Sequence, residues 1–309
     1  MMPMVLMKKT KFRIILTCLI LVFAGTFCNR ANTPPTDTGQ QRTKTFMMIH
    51  AEVGEAQYPW YQEIVTGADN LNLKYQEALW PSLRSLVALA DSYNFKLTIA
   101  LNPQWAEYIL ASAERTATAR SWLSNGHEIA FHHHGCDHPD WSGFSNRTNL
   151  AECGCCFDPP GFPYLGVPGC PTQAYRGTAN DGFSFVSQLA SPGKVITGAV
   201  TDAAYDLPAD ISVGTVGIDV TSARSIPTVI TLQDGRTITR LGHGFLDSLA
   251  TEDPLLSFEA EYDKTASSEV FGTVTHVHDY WRKPEMITSW FDFVKSGGDI
   301  IRTVGYFAN

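Results

Sequence analysis

A chain of 309 residues with 44% apolar side chains can bury a substantial core, which excludes disorder for most of it and suits one large α/β domain or two smaller ones. Residues 1–28 hold four basic and no acidic side chains, so the remainder carries 19 Lys+Arg against 31 Asp+Glu, a net charge of −12. That balance argues against a nucleic-acid partner and against charge-driven binding to anionic lipid.

The amino end reads as an export signal. Lys8, Lys9, Lys11 and Arg13 precede an apolar run from Ile14 to Gly25 that is short for a membrane span. Cys28 follows Gly25-Thr26-Phe27, a pattern that resembles a bacterial lipobox, and residues 29–43 are polar and contain Pro34 and Pro35, as a tether would. The expected product is an exported, periplasmic or cell-surface lipoprotein anchored through Cys28, in contact with the membrane only there. Ordinary cleavage with a soluble product is the alternative.

Within 44–309, Thr45 to Ile49 reads as a buried strand that ends at His50-Ala51-Glu52-Val53-Gly54-Glu55, where polar groups cluster. A helix is expected from about Pro81, with Leu83, Leu86, Val87, Ala90 and Tyr93 on one face. Phe95 to Leu101 reads as the next strand, and Asn102-Pro103 opens a helical region that Ala117 to Asn125 completes and Gly126 stops. The stretch Gly126 to Trp141 then holds five of the nine histidines. Alternation along a strand places Ala130, His132 and His134 on one face and Ile129, Phe131 and His133 on the other. His134 and His138 form an HxxxH pair that, with one carboxylate from elsewhere, makes a three-ligand site for a borderline divalent ion, zinc above all.

From Asp140 to Thr178 the pattern is irregular. Cys136, Cys153, Cys155, Cys156 and Cys170 fall in the 136–178 loop, which in an exported chain reads as disulfide stapling. Lys194 to Val200 is strand-like, and Asp234-Gly235 marks a hairpin between Thr228 to Leu232 and Arg236 to Arg240. His243, flanked by Gly242 and Gly244, reads as a loop histidine of no special role. Gly272 to Val277 is a strand with Val274, His276 and His278 on one face, followed by a helix from Pro284 to Lys295 and a closing strand from Asp299 to Val304. Strands alternating with helices imply a largely parallel sheet whose functional residues gather at the strands' carboxyl ends. Trp60, Trp105, Trp141 and Trp281 are available as sugar platforms, although core packing is the commoner use of tryptophan.

The order of these clusters resembles the polysaccharide deacetylase (NodB homology) superfamily over roughly Lys44 to Val304. Gly126-His127-Glu128-Ile129-Ala130 running into His134-Gly135-Cys136-Asp137-His138-Pro139 is similar to the family's Gly-x-Glu strand and its His-x-x-x-His-Pro motif. Tyr175-Arg176-Gly177 resembles its arginine motif, and Val277-His278-Asp279 its Leu-His motif. The resemblance implies an irregular (β/α)7-type barrel and a metal-dependent hydrolase removing acetyl groups from an envelope or extracellular glycan. It further implies Glu52, His134 and His138 as metal ligands, with His278 and Arg176 among the catalytic residues. Where the family carries two adjacent aspartates this chain has His50-Ala51-Glu52, so the general base is open between His50 and Glu55, or is missing. A missing base would make the chain a non-catalytic glycan-binding or structural lipoprotein that keeps the barrel and its metal.

Overall fold

The computed structural model describes residues 42–52, 73–136, 141–147, 175–217, 220–247 and 254–308. Expectations that fall on other residues, including His138, Glu55, Trp60, the signal segment and most of the cysteine-rich loop, lie outside the described residues. The first strand, β1 (Arg42–Ala51), pairs in parallel with β2 (Thr98–Leu101), which pairs in the same sense with β3 (Glu128–His133). The parallel series continues through β4 (Thr197–Val200), β5 (Val213–Gly217), β8 (Thr237–Phe245) and β9 (Val270–His276), and β9 pairs with β1 again. Seven parallel strands thus close a ring, the barrel that the sequence motifs implied. The irregularity is at one seam: β10 (Asp299–Arg302) pairs with the amino-terminal half of β1, on the edge whose carboxyl half pairs with β2.

Between β1 and β2 lies α1 (Lys74–Ser92), between β2 and β3 lie α2 (Pro103–Leu110) and α3 (Ala113–Ser124), and α4 (Ala179–Ala190) precedes β4. A short α5 (Ala203–Asp206) leads to β5, and β6 (Arg224–Ser225) and β7 (Thr228–Thr231) precede β8. Further helices are α6 (Pro254–Asp263) before β9, then α7 (Val277–Arg282) and α8 (Pro284–Ser296) before β10. The α1 helix begins seven residues before the expected start. Pro81 sits inside it on the exposed side, while Tyr75, Leu79 and Trp80 of the earlier turns are buried, so packing of those turns outweighs the lost backbone hydrogen bond. Among the described residues no helix is long and apolar enough to cross a membrane.

Alternation sorts the core into two layers. Ile49, Ile99, Ile129 and Phe131 pack outward against the helices, while Phe46, Met48, Ala100, Ala130 and Val274 fill the barrel interior. Trp105 and Trp141 are buried, and Trp281 is 38% exposed. Glu128, from the Gly-x-Glu segment, closes the barrel's amino end: its carboxylate accepts hydrogen bonds from the Thr98 hydroxyl (2.7 Å), the Gly305 amide (3.0 Å) and the Thr197 hydroxyl. His127 is structural too. Its Nδ1 accepts from the Leu97 amide at 3.1 Å and its Nε2 lies 3.0 Å from Asp91, which fixes the proton on Nε2.

Candidate metal and acyl-transfer site

Three strand ends supply the site. At the end of β1, Glu52 is held by its backbone: its carbonyl accepts from the Trp105 indole at 2.8 Å, and the Asn102 amide donates to Ala51 O at 3.0 Å. Asn102 is also the cap of α2, its side chain accepting from the Trp105 amide, so one helix start fixes both the carboxylate and the tryptophan beneath it. At the end of β3, His132 and His134 share the interior face, as alternation predicts. His133 points to the other side and meets Asp206 at 2.9 Å. The second oxygen of Asp206 accepts from the Ser145 hydroxyl and the Asn146 amide, which ties the segment after β3 to α5.

These placements bring Glu52 Oε2 to 2.7 Å from His132 Nε2 and 3.8 Å from His134 Nε2. On the other side, Glu52 Oε1 lies 3.4 Å from Nε2 of His276, the last residue of β9. His50 stacks on His132 with ring centroids 4.1 Å apart and meets His276 and His243 edge-on at 5.6 and 5.9 Å. Glu52 therefore belongs to two sets of three donors, one with His132 and His134 and one with His50 and His276, and within each set the ligand atoms lie within 4.8 Å of one another. One carboxylate and several imidazoles is the donor chemistry of zinc and its neighbours among divalent ions. Two further observations fit a cation: Nε2 of His50 and both ring nitrogens of His243 are buried with no hydrogen-bond partner.

The electrostatics keep these rings in different states. Burial, reinforced by the surrounding imidazoles, holds His50 well below the ordinary histidine pKa, and burial takes His243 down to about 3. Both are neutral, the form that lends a lone pair. His276 goes the other way. Burial opposes its charge, yet the Glu52 carboxylate and the hydrogen bond and charge of Asp279 raise it to about 10. Asp279 Oδ2 lies 2.9 Å from His276 Nδ1 and also accepts the His276 amide, so Nε2 is left facing the cavity.

The other expected residues take these positions. His278 lies on α7, since the strand ends at His276 and a helix begins at Val277. Its ring stacks on His276 at 4.8 Å, its Nδ1 lies 3.3 Å from the Tyr75 hydroxyl, and burial with the adjacent His276 cation lowers its pKa to about 4. Arg176 pairs with Glu107 at 2.8 Å, lies over the Phe144 ring and does not line the cavity. His243 is a correction: it belongs to β8, is buried, and faces the cavity, because the hairpin's second strand continues into the barrel wall. In the sequence His132 shares a face with His134 and His276 a face with His278, but neither was singled out as a member of the cluster. Cys136, just after β3, is buried and disulfide-bonded, and the remaining cysteines lie outside the described residues.

No protein-family model matches the sequence, and no curated protein matches it. Solved structures similar to this chain include a candidate polysaccharide deacetylase from Mycobacterium smegmatis (12% identity, 87% of this chain and 91% of that one, TM-score 0.49). Puue allantoinase is similar at 11% identity over 92% and 94% of the two chains, with TM-score 0.48. A family 4 acetyl xylan esterase from Clostridium thermocellum, solved with a cobalt ion, follows at 12% identity over 85% and 89%, TM-score 0.40. The barrel rests on its own strand pairings, and the site on the side chains described above.

Proposed function

We propose that the chain is a metal-dependent hydrolase that removes acyl groups from an envelope or extracellular glycan, acetyl being the group implied by the family resemblance. The observation that carries this reading is the convergence of Glu52, His132, His134 and His276 from three strand ends onto one cavity of about 710 Å3. Glu52 with His132 and His134 would hold the ion, His138 being the further ligand that the motif implies, and zinc suits the donors best. Such an ion lowers the pKa of water towards ~7 and polarises an acyl oxygen.

The chain's own residues then divide the work. His276, charged at neutral pH and oriented by Asp279, is placed to give a proton to the departing oxygen or nitrogen. His278 stacks on its ring and is itself bonded to the Tyr75 hydroxyl. His50, neutral and with a bare nitrogen, is available to accept a proton or to join the ligands.

Untagged full-length protein should contain about one equivalent of divalent metal and release carboxylate from acylated glycan oligomers. Glu52→Ala and His134→Ala should lower metal and activity together, whereas His276→Ala should keep the metal and slow turnover by ~100-fold. Protein that holds no metal and releases nothing sinks the proposal. Metal retained without any release would instead support the non-catalytic glycan-binding reading, which the absence of a carboxylate at His50 and Ala51 favours.

A further inference from the structure

The barrel wall is open on one side of the site. Strands β4 and β5 pair only at Thr197 with Val213 and Gly198 with Gly214, then part. Beyond that rung β4 continues on β3 and β5 continues on β8, each with its other neighbour. The last rung is two glycines, and a Cβ on either would meet Ile211 at 3.1 Å or Ile238 at 3.2 Å, so the strands separate against those two side chains and not against side chains of their own. The cavity that begins at Glu52 and the histidines is also lined by residues on the far side of this gap.

Most of those residues are apolar, with Arg240 of β8 and Thr201 among the polar exceptions. Leu207 follows α5, Ile238 lies on β8, and Ile230 and Leu232 come from β7 and its turn. Ile230 is paired directly with Ile238 across the hairpin, and the hairpin is fastened over the cavity by Arg236, whose guanidinium donates to Pro208 O at 2.8 Å and Leu207 O at 3.0 Å. Val229, the neighbour of Ile230 on the strand's opposite face, is 68% exposed and does not line the cavity. An acetyl group would fill only the histidine end. A sugar, with a hydroxyl on most carbons, would leave hydroxyls unpaired against Leu207, Ile230, Leu232 and Ile238.

We infer that the cavity seats an apolar chain of several carbons, entering between β4 and β5, as the acyl group of the substrate. This rests on the hydrolase reading above and narrows its substrate class to glycans or other acceptors bearing medium-length acyl chains. In the reaction the acyl carbon's bond to the acceptor oxygen or nitrogen breaks and a bond to water's oxygen forms. One water proton goes to the released alcohol or amine and the other to solvent as the carboxylic acid ionises.

The test measures binding separately from turnover. Calorimetry of n-alkyl carboxylates from acetate to octanoate on full-length protein, with and without zinc, should show affinity rising about fourfold per added methylene until the wall is filled. Ile230→Gln and Leu232→Gln should flatten the rise while leaving acetate binding unchanged, and Val229→Gln should leave the series as it is. An affinity that is flat or falls with chain length overturns the inference, as does a graded series untouched by Ile230→Gln. A parallel set of p-nitrophenyl esters, acetyl to octanoyl, separates the two readings. Graded binding with no ester hydrolysed keeps the apolar site and removes the hydrolase; acetyl ester cleaved best with flat binding removes the apolar site and keeps the hydrolase.

Discussion

Replacing Glu52 with Gln in chelator-treated protein tests the electrostatic centre of the site without requiring a substrate. In the folded chain His276 titrates at about 10, against about 6.5 when unfolded, and the Glu52 charge 3.4 Å from its Nε2 is the largest contribution raising it. A histidine whose folded pKa is raised adds stability that is complete below pH 6.5 and is lost as pH rises through the folded value. A difference of about 3.5 units corresponds to ~5 kcal/mol at most, declining at up to ~1.4 kcal/mol per pH unit between pH 6.5 and 10. The amide keeps the shape of the carboxylate and removes its charge, leaving Asp279 and Asp247 to hold the imidazolium, so the alkaline loss in Glu52→Gln should be smaller and complete at lower pH. Urea unfolding of both proteins at half-unit steps from pH 6 to 10 reads this directly, since lysine and tyrosine titrations common to both cancel in the difference. Curves that run parallel across the window would refute the Glu52 to His276 pairing.

Gly217→Ala should cost about 1–3 kcal/mol in urea unfolding, because an added Cβ would lie 2.2 Å from the His243 ring and 2.6 Å from its backbone oxygen, with no flexible side chain to yield. Glu128→Ala, which strips three hydrogen bonds from the barrel's amino end, should lower stability by roughly 2–4 kcal/mol and leave metal content unchanged. On the acid side His127 works in the opposite sense to His276. Burial lowers its pKa despite Asp91, so the unfolded chain takes up its proton first and stability falls as pH drops below 6.5; His127→Gln should weaken that dependence in thermal melts between pH 6.5 and 5.

Much of the barrel was legible because each strand ends in a change of residue class. Thr45 to Ile49, Phe95 to Leu101 and the strand ending in the histidine run are apolar stretches that stop at polar residues, and β1, β2 and β3 follow them closely. Period-two alternation was enough to put His132 and His134 on one face and His133 on the other, as the structure has them. It failed at the other end for a local reason: the rule was extended from Val274 through His276 to His278, but the backbone turns helical at Val277, and from there a two-residue step no longer returns to the same face.

The role of His243 was hidden by its neighbours. Two flanking glycines read as a loop, whereas here glycine answers close approach: a Cβ at Gly242 would lie 2.3 Å from Ser222 O, and one at Gly217 would strike the His243 ring. The same residue type that suggests a turn in one dimension marks tight strand packing in three, and only the pairing of β5 with β8 distinguishes the two. That pairing places a buried, neutral imidazole with two bare nitrogens beside His50, so the interior of this barrel holds more imidazole than the motif ligands account for. In the metal-free chain Glu52 and Asp279 flank the His276 ring from its two nitrogens, and Asp279 on Nδ1 is the partner that stays with His276 when Glu52 turns to an ion.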